Sequence, residues 1–193
     1  MLFGALILVI GILAFSRVSA GDLPTRDEVL QSVYPGALIR SEKVFLTEEQ
    51  MQTASKIAGT ELESKLVASY IARKEGKVIG SAFIDTHIVR TKKQSLIVCL
   101  DSEGKVLRIE ATAFFEPPEY LASEPFLDQY EGEAISQELF LGRKIRPIAG
   151  ATLTVQSVNQ AVRRVLALNQ VINGNKEHSS SRVSNQTIGT KPR

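Results

Sequence analysis

Four apolar segments in the middle of the chain, held apart by short polar stretches, most restrict what it can fold into. Lys65 to Arg73, Val78 to Val89, Ser95 to Leu100 and Val106 to Phe114 are rich in β-branched and aromatic residues, the composition of strands. Lys74-Glu75-Gly76-Lys77 and Asp101-Ser102-Glu103-Gly104 are polar links with glycine near the end. Links this short turn a strand back on its neighbour and leave no length for the helix that a parallel crossover needs. An antiparallel sheet follows. Helix patterns lie before and after it, so the predicted class is α+β, a sheet flanked by helices in a single small domain. At 193 residues the chain has no room for two large enzyme lobes.

The flanking helices announce their own ends. Thr25 with Glu28 three residues later has the capping-box spacing, and Tyr34-Pro35-Gly36 stops the helix that follows. Thr47-Glu48-Glu49-Gln50 opens a second helix, which Gly59 can close in a left-handed cap. Ala37 to Leu46 reads as extended between them. After the sheet, Glu116-Pro117-Pro118 breaks the last strand, and Glu124 to Tyr130 has the pattern of a short helix stopped by Gly132. Thr154 to Ile172 is the clearest helix: Val155, Val158, Val162, Val165 and Leu166 form one stripe, with Gln156, Asn159, Arg163 and Arg164 largely off it. Beyond Asn173-Gly174 the composition is too polar to offset its ordering entropy, and the reading is a disordered tail.

Leu2 to Phe15 carries no charge but is short for a membrane span of about 20 residues. Val18-Ser19-Ala20 then places small residues where a signal peptidase reads them. The segment is expected to be a secretory signal cleaved after Ala20, or alternatively an uncleaved anchor; either puts the rest of the chain outside the cytoplasm. The expected organisation is 1–20 signal or anchor, 21–64 an N-terminal helical and extended region, 65–172 the main domain, and 173–193 the tail.

Charge and cysteine usage exclude several function classes. The net charge is +2, and the tail alone contributes +3 through Lys176, Arg182, Lys191 and Arg193 against Glu177, so no compact basic surface for nucleic acid is implied. One cysteine rules out an internal disulfide, a c-type haem attachment and an iron–sulfur ladder, and two separated histidines do not make a metal site. Redox chemistry on this chain would need an organic cofactor.

The informative segment is Ile148-Ala149-Gly150-Ala151-Thr152-Leu153-Thr154, immediately before the long helix. Read alone, it is a glycine turn with Thr154 as the helix cap. Its position also suits an anion: the first amides of a helix lack intrahelical acceptors, and the helix start favours negative charge by roughly 0.3–1 kcal/mol when exposed. Arg143, Lys144 and Arg146 add formal charge upstream, and Thr152 supplies a hydroxyl. The segment is not a P-loop, since no Gly-Lys-Ser/Thr follows.

Gly150-Ala151-Thr152-Leu153-Thr154, followed by an alanine- and valine-rich helix, resembles the FMN-binding domain family of the Rnf complex G-subunit and the sodium-pumping NADH:quinone reductase C-subunit. The order of an export segment, a helix-plus-sheet region, a strand ending in Glu116-Pro117-Pro118, the threonine motif and a terminal helix matches as well, over about residues 65 to 170. The family's fuller pattern, Asp-x-x-Ser/Thr-Gly-Ala-Thr, has an aspartate where this chain has Arg146 and a hydroxyl residue where it has Ala149. The resemblance implies FMN esterified through its phosphate to Thr152 by a flavin transferase, with Gly150, Ala151, Leu153 and Thr154 around it, no metal and no catalytic residue. It implies an extracytoplasmic carrier that exchanges electrons with a membrane-associated donor or acceptor, more a redox carrier than a stand-alone enzyme. Two other classes remain open: a flavin-dependent reductase acting on a small molecule or metal complex, and a cofactor-free binding module of the envelope.

The remaining candidates have plainer readings. Phe114, Phe115 and Tyr120 are expected to pack at the sheet end, His87 to lie on a strand surface, and Arg90, Lys92 and Lys93 to form a solvated hairpin tip. Cys99 falls within an apolar strand and is expected in the core. Asp128, Glu131 and Glu133 are expected to form an acidic surface.

Overall fold

Each helix start and strand turn follows from local chemistry already visible in the residues. The computed structural model describes residues 23–148 and 151–186. Thr25 caps α1 (Arg26–Val33) and Thr47 caps α2 (Glu48–Ala58), both as complete capping boxes. Gly59 ends α2 in the left-handed conformation, with φ at 62°. Between the helices runs β1 (Leu38–Phe45), and after them come β2 (Leu66–Lys74), β3 (Lys77–Ile88), β4 (Lys93–Asp101) and β5 (Val106–Phe114). The five strands pair in sequence order, every neighbour antiparallel. Glu124 to Tyr130 is one turn of helix, α3 (Glu124–Leu127), continued by a 3-10 turn, with Gly132 beyond it at positive φ.

The two faces of the sheet meet different partners. Leu96, Val98 and Leu100 of β4 enter the larger core with α2 and α4 (Thr152–Gln186), while Ile97 and Cys99 enter a smaller one beneath α1. Burial on both sides explains why β4 reads as a continuous apolar run rather than an alternating one. Cys99 is fully buried, as expected, and burial pushes its thiol up to about 12, so it stays protonated and inert. Val155, Val158, Val162, Val165 and Leu166 are all buried, each contributing roughly 1.5–3 kcal/mol over an exposed position.

Two features of α4 depart from the sequence reading. Asn159 and Arg163 are not off the buried stripe; each is only 3% exposed. The helix has the sheet on one side and α2 and the segment before Leu141 on the other, so its polar residues are enclosed. Asn159 Nδ2 donates to the Tyr130 hydroxyl at 2.9 Å and the Leu139 carbonyl at 2.7 Å, and the Arg163 guanidinium lies 3.2 Å from the centre of the Phe140 ring. The helix also continues past Ile172 to Gln186, through part of the stretch read as a disordered tail. Low apolar content argues against packing on a core, but no proline interrupts the hydrogen-bond ladder before residue 192. The expected signal or anchor, residues 1–20, and residues 187–193 lie outside the described residues.

β1 pairs along its whole length with β2 from Leu38↔Arg73 to Phe45↔Leu66, and α2 packs on α4. Residues 23–64 therefore share the sheet and the core with the strands and helix that follow.

Candidate functional site

The amino end of α4 is built by three segments far apart in the chain. Thr154 is 3% exposed, and its hydroxyl donates to the Tyr120 carbonyl at 2.8 Å, which latches the first turn of the helix to the 3-10 turn Pro118–Tyr120. Glu116, just ahead of that turn, accepts from the amides of Thr91 at 2.6 Å and Lys92 at 2.7 Å and from the Thr91 hydroxyl at 3.2 Å. These amide bonds hold its carboxyl below the usual carboxylate range. The β3–β4 hairpin tip is thereby tied to the segment leaving β5, and Arg90 in that tip lies 4.1 Å from the centre of the Tyr120 ring.

Between these parts opens a cavity of about 190 Å³ lined by Arg90, Tyr120, Ala151, Thr152, Leu153 and Thr154. Gly150, the remaining residue of the motif, lies outside the described residues, as does Ala149. Thr152 is exposed on the cavity, and its hydroxyl has no partner among the described residues. The two threonines are thus distinct: the Thr154 hydroxyl donates inward to the Tyr120 carbonyl, and Thr152 is exposed on the cavity. Leu153 is 51% exposed beside them.

No family model matches the chain, and no curated protein does. What the corner can bind is therefore argued from its chemistry. A guanidinium, the positive end of a helix and an exposed hydroxyl border an open space, and this is the chemistry that suits an anion.

Several sequence expectations are changed by this geometry. Arg90 is not simply part of a solvated tip, because Glu116 and Tyr120 bring it onto the cavity. Of the cations just before α4, Arg143 lies 3.6 Å from Glu138 and Lys144 pairs with Glu133, and neither they nor Arg146 line the cavity. Arg90 is the cation that sequence reading assigned to a solvated hairpin tip; the one local signal against that was a carboxylate placed just after a strand end, ready to receive loop amides. Phe115 is 63% exposed rather than packed at the sheet end. Asp128 and Glu131 are exposed, as expected. With Arg108, Glu110 and Glu124 they line a larger cavity of about 570 Å³ beside β5. Burial, then the charges of Glu124 and Asp128, raise the Glu110 carboxyl, and this acidic surrounding disfavours an anion there.

His87 is also corrected. It is 9% exposed rather than on the surface, and it stands on the face beneath α4. Its Nδ1 is 2.8 Å from Asp85 Oδ1, and Arg164 of α4 donates to both oxygens of Asp85 at 2.8 and 2.7 Å. Its cross-strand partner, Gln94, is completely buried. Among the described residues, His87 Nε2 and both polar atoms of the Gln94 amide have no hydrogen-bond partner. An unmet buried polar group costs about 1–3 kcal/mol, so Gln94→Leu is expected to raise the thermal unfolding midpoint by roughly 2–6 °C. A lower midpoint in the variant would show that the amide is bonded in solution.

Proposed function

We propose that the amino end of α4 anchors FMN by its phosphate, esterified to the Thr152 hydroxyl by a flavin transferase that brings the flavin as a pyrophosphate, so that the Thr152 oxygen loses its proton and displaces the other phosphate half, and that the protein carries electrons outside the cytoplasm between membrane-associated redox partners. The observation that carries this reading is the cavity at Thr152, open, anion-attracting and bordered by Arg90. Enclosed ligand sites occupy ~300–1,000 Å³, so a cavity of about 190 Å³ suits an end group such as a phosphate and leaves a flavin ring outside it.

When bound, the flavin supplies the chemistry of accepting electrons singly or in pairs. The chain's own residues position and retain it. Arg90 opposes the charge of the phosphate, the first turn of α4 faces it with unpaired amides, and the Thr152 oxygen provides the point of attachment. Thr154 and Glu116 position these groups without touching the cofactor, one by holding the helix start and the other by holding the hairpin tip. None of these residues is arranged as an acid–base pair toward a substrate, which supports a carrier over a reductase that turns over a small molecule unaided.

The test is the intact mass of the protein from a host that loads such domains. The parent chain is expected to carry the mass of a flavin phosphate and a yellow chromophore, and Thr152→Ala is expected to lose the covalent mass entirely while folding normally. A parent chain recovered colourless and at its bare mass, or a Thr152→Ala protein that keeps the adduct, overturns the reading.

A further inference from the structure

The end of the sheet that bears Thr152 also presents a bare stretch on the face turned away from α4. α1 covers Tyr70, Ala72, Ala82 and Ile97 at the other end of that face. At the near end Phe45, Leu66 and Ile88 are 74%, 45% and 60% exposed. Phe45 stands directly opposite Leu66 in the β1–β2 ladder, and Ile88 opposite Lys93 in the β3–β4 ladder. Side chains alternate along a strand, so Lys43, two residues before Phe45, shares the face. Neither Lys43 nor Lys93 makes a salt bridge to a described residue. The carboxylate that β5 contributes to this face, Glu110, stands farther in, opposite Ile97 beside α1.

We infer that this face docks on an anionic lipid surface, with Phe45, Leu66 and Ile88 entering the boundary between headgroups and acyl chains and Lys43 and Lys93 meeting lipid phosphates. Exposed apolar side chains interleaved with cations are the combination that holds a protein in a membrane interface. A second copy of the chain is a poorer occupant. A two-fold interface on this face would set Lys43 and Lys93 against the same two lysines of the other molecule, where like charges oppose association. A peptide that adds a strand would take a sheet edge, not its face. Docked this way, the chain keeps the Thr152 cavity at the bilayer surface, within reach of partners embedded there.

The experiment uses the protein as its host yields it, labelled one position at a time with an environment-sensitive dye through Phe45→Cys, Ile88→Cys or, at the opposite end of the sheet, Val78→Cys. Cys99 is fully buried, and the unlabelled parent serves as its blank. The proteins are mixed with phosphatidylcholine vesicles carrying a lipid-borne quencher, with or without phosphatidylglycerol. Dyes at 45 and 88 are expected to be quenched on the anionic vesicles and the dye at 78 to be spared. Lys43→Glu with Lys93→Glu is expected to lower the docked fraction at least about tenfold. Equal quenching at all three positions, quenching at none, or quenching indifferent to phosphatidylglycerol and to the lysines overturns the inference. Shielding of position 45 that rises with protein concentration in lipid-free buffer would assign the face to a second copy and overturn it too. The readout is the attached dye and not the flavin, so its failure leaves the anchoring of FMN at Thr152 standing.

Discussion

Asp85→Ala is expected to destabilise the protein by roughly 3–5 kcal/mol, the cost of stranding a buried charge whose partner has been removed. Side-chain exposure is 12% for Asp85 and 14% for Arg164, so water cannot replace the lost carboxylate around the guanidinium. The same substitution frees His87 Nδ1, so three nitrogens, that one and Arg164 Nε and Nη2, lose their acceptor. Chemical denaturation at neutral pH measures the loss, and a cost below about 1 kcal/mol would mean that the ion pair is solvated. Replacing both partners by leucine tests the mechanism, because an apolar pair of similar volume is often neutral or stabilising where a broken pair is not.

The pH dependence of this triad has a definite sign. Burial raises the Asp85 carboxyl, but the hydrogen bonds from Arg164 and His87 outweigh it and hold the folded value below the ordinary one. A depressed carboxylate adds stability above its unfolded pKa of about 4 and loses it as pH falls through the folded value. Denaturant midpoints of the parent should therefore fall in acid below about pH 4 more steeply than those of the double-leucine variant.

Gly80→Ala is the second large effect expected. A Cβ at this position would lie 2.5 Å from the Tyr34 ring and collide with the Leu100 carbonyl oxygen of the neighbouring strand. Neither can give way easily, since the Tyr34 hydroxyl donates to the carbonyls of Ser81 at 2.8 Å and Leu100 at 2.7 Å, and Leu100 is part of the ladder. Overpacking of this kind costs about 1–3 kcal/mol. Because Tyr34 is the residue that ends α1, the loss should appear first as detachment of that helix, seen in faster amide exchange over residues 26–34 than in the sheet. Uniform exchange across the chain would contradict a local origin.

Legibility of the fold followed the range of the interactions that made it. The capping boxes at Thr25 and Thr47 and the glycine at 59 act within four residues, and the strands lie within two residues of where their composition put them. The stripe Val155 to Leu166 marked the buried face of α4 but not its width, because α2 covers the side that the sheet leaves open. His87 looked like a surface residue because its two partners act from Asp85 on its own strand and, through it, from Arg164 on α4. The motif around Thr152 was visible as a string; that Arg90 borders it was not. Its approach depends on Glu116 fastening a loop 24 and 25 residues earlier in the chain. The sequence marked the helix start as a place that suits an anion, and only the tertiary arrangement brings Arg90 beside it.

The meander and α4 together order the events of assembly. Strands that pair only with their chain neighbours can zip one after another as they are made, each closing a short loop. The larger core, however, needs Val155, Val158, Val162 and Leu166, which are synthesised after every strand. Until that last helix arrives the inner face of the meander stays wet, and the segment bearing Thr152 has no wall of Arg90 and Tyr120 to stand against. If the corner is loaded as proposed, loading is a late event, gated by completion of the polypeptide rather than by its early hairpins.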